Sequence, residues 1–256
     1  MSNGFKLFSI IPDSTKEEAL NPATNLIGQA FRGIAHKVLD PLVKYNIVKD
    51  KEMEDFITKI RTKTDIVPVE NRDSSKLGLT LKAVEDGSYQ LNSEILRDMF
   101  SNLISATVDN RKNDVIKPSF SSILKDLSPI EASLFETISK VNRLPLVTIR
   151  IENDITKEGL DYLKNILLLN NKPIHDLASL NSLQRLGLIE VSQHTYLIAP
   201  QYAVQYDNFL QSTEYKEAES KLPIKDGDLY FDSVRLNKGK IELTALGEEF
   251  GNIVIS

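Results

Sequence analysis

No cysteine occurs anywhere in the chain, which removes disulfides, thiolate nucleophiles and every cysteine-based zinc or iron–sulfur centre at once. Imidazoles are nearly as scarce. Only His36, His175 and His194 are present, and their spacing matches no HExxH-type metal motif. Long apolar runs are missing too: the best candidate, residues 26–43, is broken by Arg32, His36, Lys37 and Asp40, so the chain does not read as membrane-spanning. The opening MSNGFKLFSIIPDSTKEEA lacks the basic start and long apolar region of a signal peptide. A cytoplasmic protein is the expectation. GxSxG, Walker A and GxGxxG patterns are all absent.

A basic surplus is also lacking. Residues 1–127 carry 18 Lys and Arg against 18 Asp and Glu, and residues 128–256 carry 13 against 18, so the net charge of −5 belongs to the second half. Proteins that bind nucleic acid gain affinity from basic surface that displaces counterions from phosphates. Neither half offers such a surface.

What is present is ordinary globular material: 256 residues, 41% hydrophobic and 26% charged, enough to bury two modest cores. Asn21 and Pro22 open a helix whose apolar residues, Leu26 through Leu42, recur at helical spacing. Its polar side is not strongly basic, so a packed bundle helix is preferred to a membrane-surface helix. A second helix covers 51–60, with Met53, Phe56, Ile57 and Ile60 on one face. TDIVPVENRDSSKLG reads as a loop, followed by a short helix over 79–84 that AspGly at 86–87 ends.

The third long helix runs over 93–108. Ile95, Leu96, Met99, Phe100, Leu103, Ile104 and Val108 make its oily stripe, while Arg97, Asp98, Ser101, Asn102 and Ser105 lie off it. A knot of charge, DNRKND, follows at 109–114, and the chain restarts as a helix at Pro118. SPIE at 128–131 combines a Ser cap, Pro at the first helical position and Glu to close a capping box. The domain boundary is set there.

Beyond it, LPLVTIRI (144–151) is strand-like and residues 156–169 read as a helix with Leu160, Leu163, Ile166 and Leu167 apolar. LASLNSLQRLGLIEV gives a leucine helix, Gly187 and a short strand. A turn at SQH then leads to a returning strand, TYLIA, and KIELTALGEEFGNIVI ends the chain as a strand and a helix capped by Thr244. This order suggests a winged helix. The expected fold is mainly α, α+β overall, with a helical domain over 1–127 and a winged-helix-like domain over 128–256 carrying an insertion at about 201–240.

The knot is the first place to look for chemistry. Asp109, Arg111, Lys112, Asn113 and Asp114 include carboxylates suited to hard cations and an arginine suited to phosphate. A metal-dependent nuclease or phosphotransferase would centre on Asp98, Asp109 and Asp114, yet no distant carboxylate pair is identifiable to complete a two-metal site. The preferred reading is a helix-to-helix corner in which Arg111 and Lys112 complement the negative helix end, with partner recognition as its special role. Arg97 and Asp98 read as surface ion-pairing residues. No catalytic residue, metal ligand or cofactor site is assigned.

DNA recognition is the alternative. A recognition helix near 176–186 would offer Asn181, Gln184 and Arg185, flanked by Lys172, His175 and His194. Asp176 and Glu190 offset its two cations, so protein contact is the favoured use of the domain.

NPATNLIGQAFRGIAHKVLDP (21–41), EILRDMFSNLISATVDNRKNDVIKPSFSSILKDLSPIEASLFETI (94–138) and, more loosely, LQRLGLIE and IELTALGEEF together make the chain resemble the Abi-alpha family, named for a proposed link to abortive infection in bacteria. The family pattern has a helix, a polar turn, a His-Pro-Ser-Phe-like restart and LSPxEA. Lys117 stands where that histidine is expected, while Pro118, Ser119 and Phe120 match. If that histidine were catalytic in relatives, its absence would count against catalysis here. The resemblance implies a setting, defence against phage, rather than a reaction. The expected partner is a protein, phage-derived or a component of the defence, and the residues expected to meet it are Arg97, Asp98, Asp109, Arg111, Lys112, Asn113, Asp114, Lys117 and Ser119.

Overall fold

The apolar stripes at 51–60 and 93–108 become two helices packed against each other. The computed structural model describes residues 50–255, so expectations for the helix over 21–42 lie outside the described residues. Two compact units divide the chain. One takes residues up to 133 together with the stretch from 249 onward, and the other takes 134–248.

In the first unit, α1 (Asp50–Asp65) buries Met53, Phe56, Ile57 and Ile60. α2 (Leu77–Ser88), α3 (Glu94–Thr107) and α4 (Phe120–Asp126) follow. α3 touches α1, α2 and α4. It is therefore buried on more than its oily stripe. Ser101, Asn102, Ser105 and Thr107 are buried as well, and each finds a partner, as buried polar groups must. Ser101 Oγ donates to the Asp98 carbonyl at 2.7 Å, Asn102 Nδ2 to the Val254 carbonyl at 2.8 Å, and Ser105 Oγ to the Lys63 carbonyl at 2.9 Å. Ser93 caps α3, its hydroxyl accepting from the Leu96 N–H.

The AspGly pair at 86–87 does not end α2, which continues to Ser88. The reason is packing. A Cβ on Gly87 would stand 3.0 Å from the Phe56 ring and 3.1 Å from the Phe100 ring, so this glycine permits close helix approach rather than making a turn. The capping box at 128–131 forms on both sides: the Ser128 N–H donates to Glu131 Oε2 at 2.6 Å and the Glu131 N–H to Ser128 Oγ at 3.3 Å. It opens α5 (Pro129–Val141).

The second unit is built on an antiparallel sheet of order β3-β2-β1-β7-β4. Its strands are β1 (Arg143–Glu152), β2 (Gly159–Leu169), β3 (Lys172–Ile174), β4 (Ile189–Ser192) and β7 (Ser233–Leu243), with β5 (Ile224–Asp226) and β6 (Leu229–Phe231) as a separate hairpin. β1 is central and buried on both faces, which explains its nearly unbroken apolar run. α7 (Pro200–Phe209) touches β1, and α8 (Thr213–Ser220) touches β1 and β7. Val147, Ile149, Ile166, Leu168, Tyr206, Phe209 and Ala218 share one core. α6 (Leu177–Arg185) lies against β4 and β2.

Two expectations are corrected here. Residues 159–169 form a strand rather than a helix. Leu163 pairs with Ile149, but the next partner of this register, Val147, pairs with Ile166. An extra residue in β2, with Asn165 at φ 52, makes a bulge that returns Ile166 to the face of Leu163 after three positions. The bulge thus imitates helical periodicity in the sequence.

The returning strand at 195–199 does not form. The Leu197 N–H instead donates to the Tyr206 hydroxyl at 3.2 Å, and that hydroxyl donates to the Gly239 carbonyl at 2.5 Å. β4 takes β7 as its partner, from Ile189↔Leu243 to Ser192↔Lys240. Hence the expected wing hairpin is absent from 189–199. Within 201–240, α7, α8 and the β5–β6 hairpin precede β7, which starts at Ser233 and pairs along all of β1.

LGLIE and LTALGEEF interlock. Gly187 adopts φ +73, Thr244 Oγ1 donates to its carbonyl at 2.5 Å, and the Thr244 N–H donates to the Leu188 carbonyl at 3.1 Å. Thr244 Oγ1 also accepts from the Gly247 N–H at 2.9 Å, capping α9 (Ala245–Val254). A side chain on Gly247 would collide with the Leu188 carbonyl.

Candidate functional site

The charged knot is a structured corner, tied to a second loop about 40 residues earlier in the chain. After α3, Asp109 caps a single 3-10 turn, Asn110–Lys112, by accepting from the Arg111 N–H at 3.1 Å. The same carboxylate takes the Arg111 guanidinium in a fork, at 2.8 Å from Nε and 2.6 Å from Nη2. Asp109 is 2% exposed. These hydrogen bonds outweigh its burial and hold its carboxyl below the usual carboxylate range.

Backbone and side chains then bind the corner to residues 71–75. Arg72 and Asp109 form an isolated antiparallel bridge, and the Asp73 N–H donates to the Val108 carbonyl at 3.0 Å. Asn113 Nδ2 donates to Asp73 Oδ2 at 2.8 Å, and Asn71 Nδ2 to Asn110 Oδ1 at 3.2 Å. Asp73 also accepts from the Ser75 N–H and hydroxyl. Hydrogen bonds from Ser75 and Asn113 hold the Asp73 carboxyl below its ordinary range. Beyond the corner, Lys117 pairs with Glu249. Asp114 and Ser119 are exposed, while Lys112 is half-buried.

Arg97 and Asp98 belong to a different place. They tie α3 to α1, Arg97 Nε to Asp55 Oδ2 at 2.7 Å, and Asp98 Oδ1 to Lys63 at 2.8 Å and Lys59 at 3.2 Å. Burial opposes ionisation of Asp98, but the two lysines win and lower its pKa. Along α3, a rise of ~1.5 Å per residue separates Asp98 from Asp109 by roughly 15 Å. The metal centre considered at Asp98, Asp109 and Asp114 is therefore not assembled, since two of its carboxylates are committed to cationic side chains in separate places. Among the described residues, no three His, Asp or Glu side chains are placed to hold a metal ion.

Sequence reasoning missed two features. One is the 71–75 half of the corner, whose signal was present only as the Asn, Asp and Ser content of that loop. The other joins α2 to α4: Lys82 Nζ donates to Asp86 Oδ2 at 2.6 Å, Ser121 Oγ at 2.7 Å and Ser122 Oγ at 2.8 Å, and Lys125 reaches Asp86 Oδ1 at 3.1 Å. Burial works against the Asp86 charge, yet Lys82, Ser121 and Lys125 together keep its pKa depressed. A carboxylate so held is a structural tie and a poor proton acceptor.

On the second unit, α6 is capped by Asp176, whose Oδ1 accepts from the Ser179 N–H at 3.0 Å. It exposes Asn181, Gln184 and Arg185, while Leu180 and Leu183 face inward. Lys172 and His194 are exposed, and His175 Nε2 lies 3.1 Å from Glu214 Oε1. Nearby, a cleft between the bulge of β2 and β7 is lined by Thr148, Asp161, Gln193 and Asn237; its volume of about 20 Å³ is on the scale of one water.

The family profile described as abortive infection alpha matches residues 48–254, which takes in every described helix and strand from α1 to α9. The chain belongs to the abortive infection alpha family. No curated protein matches it. Among solved structures it is similar to an uncharacterized protein from the hydrocarbon-degrading marine bacterium Alcanivorax borkumensis SK2, at 15% identity and a TM-score of 0.32, covering 57% of this chain and 96% of that one. Both the corner at 109–119 and the α6 face lie within the abortive infection alpha match.

Proposed function

We propose that this abortive infection alpha protein serves bacterial phage defence by recognising a protein partner through the corner at 109–119, without a catalytic centre of its own. The observation that supports this reading is the clasp between 71–75 and 109–113. A turn that merely reverses direction needs no bidentate ion pair, buried carboxylate and cross-loop amide bonds. Holding it in one geometry reduces the ordering entropy that binding would otherwise cost. Lys112, Asp114, Val115 and Ser119 are the groups this scaffold leaves for contact, with Arg111 engaged by Asp109 and Lys117 by Glu249.

The test is a phage panel applied to bacteria carrying the gene, scored for plaques and for culture survival at low and high multiplicity. Protection by the parent and its loss in Lys112→Glu/Asp114→Lys, at unchanged protein level and melting temperature, is the expected result. Full protection by that variant would remove the corner from recognition.

A second reading rests on α6, which turns Asn181, Gln184 and Arg185 to solvent together. Those side chains suit base edges and phosphates. A mobility-shift series beginning at low salt decides it, because even electrostatic binding of low specificity is visible there. No shift at low salt ends the DNA reading.

A further inference from the structure

At one end of the second unit, two turns distant in sequence lie side by side. Residues 153–158 join β1 to β2, and residues 226–229 close the β5–β6 hairpin, where Asp226 pairs with Leu229. Asn153 Nδ2 donates to the Tyr230 carbonyl at 3.2 Å, the Asp154 N–H to Asp232 Oδ1 at 2.8 Å, and the Asp232 N–H to the Glu152 carbonyl at 3.1 Å. These bonds make the two turns a single tip.

The tip exposes apolar side chains that belong to no core. Ile155 is 89% exposed, Leu229 46% and Tyr230 47%. Isolated exposed apolar residues are commonplace, but several gathered on one tip with a polar rim mark an interaction surface. The rim is acidic: Asp154, Glu158, Asp226, Asp228 and Asp232 are all exposed. Three cations stand against these five carboxylates: Lys157, engaged by Asp154 at 2.9 Å, Lys225 on β5, and exposed Arg235 on β7, whose charge acts on Lys157. An anionic bilayer or a phosphate backbone would be repelled by this rim.

We propose that this tip docks a protein segment in which lysines or arginines surround an aliphatic or aromatic centre. The apolar centre would cover Ile155, Leu229 and Tyr230, and the cations would meet the ring of carboxylates. Such complementarity speeds encounter and fixes orientation, while the desolvated centre holds the complex. The proposal concerns a surface separate from the corner at 109–119 and does not depend on it.

The full chain is titrated against a fluorescent Lys/Leu amphipathic peptide of about 20 residues, alongside its Glu/Leu counterpart and phosphatidylglycerol vesicles. Binding of the basic peptide alone is expected, with affinity falling about tenfold in Ile155→Ser/Tyr230→Ser and again in Asp226→Asn/Asp228→Asn. Melting temperatures equal to the parent establish that both variants fold. In the unmodified chain, amide shifts confined to 153–158 and 226–232 are the matching result. Unchanged affinity in both variants, shifts centred elsewhere, or preference for the acidic peptide or the vesicles would overturn the proposal.

Discussion

Tyr206→Phe removes one oxygen atom from the second unit, and its consequence can be worked from the contacts of that oxygen. The ring is fully buried and stays packed in the variant, edge-on to Tyr196 with centroids 6.1 Å apart. No cavity of consequence opens. What is lost is the acceptor for the Leu197 N–H and the donor to the Gly239 carbonyl. A buried N–H left bare costs about 1–3 kcal/mol, and the carbonyl loses a further bond worth about 1 kcal/mol. The sum is about 2–4 kcal/mol, a melting shift of roughly 8 °C or more for a unit of this size. Burial raises the pKa of this hydroxyl, so it remains a donor throughout the neutral range. The assay pairs thermal unfolding with hydrogen exchange at the Leu197 amide. A shift below about 2 °C with undiminished Leu197 protection would refute the view that Tyr206 holds 195–199 away from strand pairing.

Other substitutions and conditions test the first unit. Gly87→Val drives a branched side chain into Phe56 and Phe100 and should cost about 1–3 kcal/mol, read by urea unfolding; an unchanged midpoint would mean the two rings give way freely. Asp73, Asp86, Asp98 and Asp109 all have folded pKa values below their ordinary 3.8. Their stabilisation is therefore complete above that value and drains away as pH falls through the depressed folded values. Melting temperature measured from neutrality down to about pH 2.5 should fall mainly below about pH 4, and Asp86→Asn should flatten that fall. An equally steep acid profile in the variant would argue that the Lys82 and Lys125 contacts contribute little. Lys112→Glu/Asp114→Lys should leave the melting temperature of the folded chain within about 2 °C of the parent, since Asp114 is exposed, Lys112 is only half-buried, and surface charges of this kind contribute little to folding.

The helices of the first unit were legible because their apolar residues recur at one helical period and their ends carry local signals. Ser93 and the SPIE box form the caps their residues announce. β1 was legible for the complementary reason, a β-branched run long enough to be buried on both faces. β2 was misread because a bulge at Asn165 spaces its apolar side chains by three. Gly87 was misread because AspGly is a common turn signal, whereas here the absent Cβ is needed between two phenylalanines.

The amino-acid sequence by itself determined which segments are amphipathic, where several helices begin, and the family to which the chain belongs. Each of these rests on residues close together in the chain. Tertiary structure alone decided that β4 pairs with β7, that Tyr206 occupies the Leu197 N–H, and that Asp109 and Asn113 of the charged corner are held by Arg72 and Asp73. The physical reason is common to all three. A backbone N–H or a carboxylate must be satisfied once buried, but nothing local specifies which of many chemically equivalent partners, about 10 to 50 residues away, will satisfy it; packing of the apolar faces makes that choice.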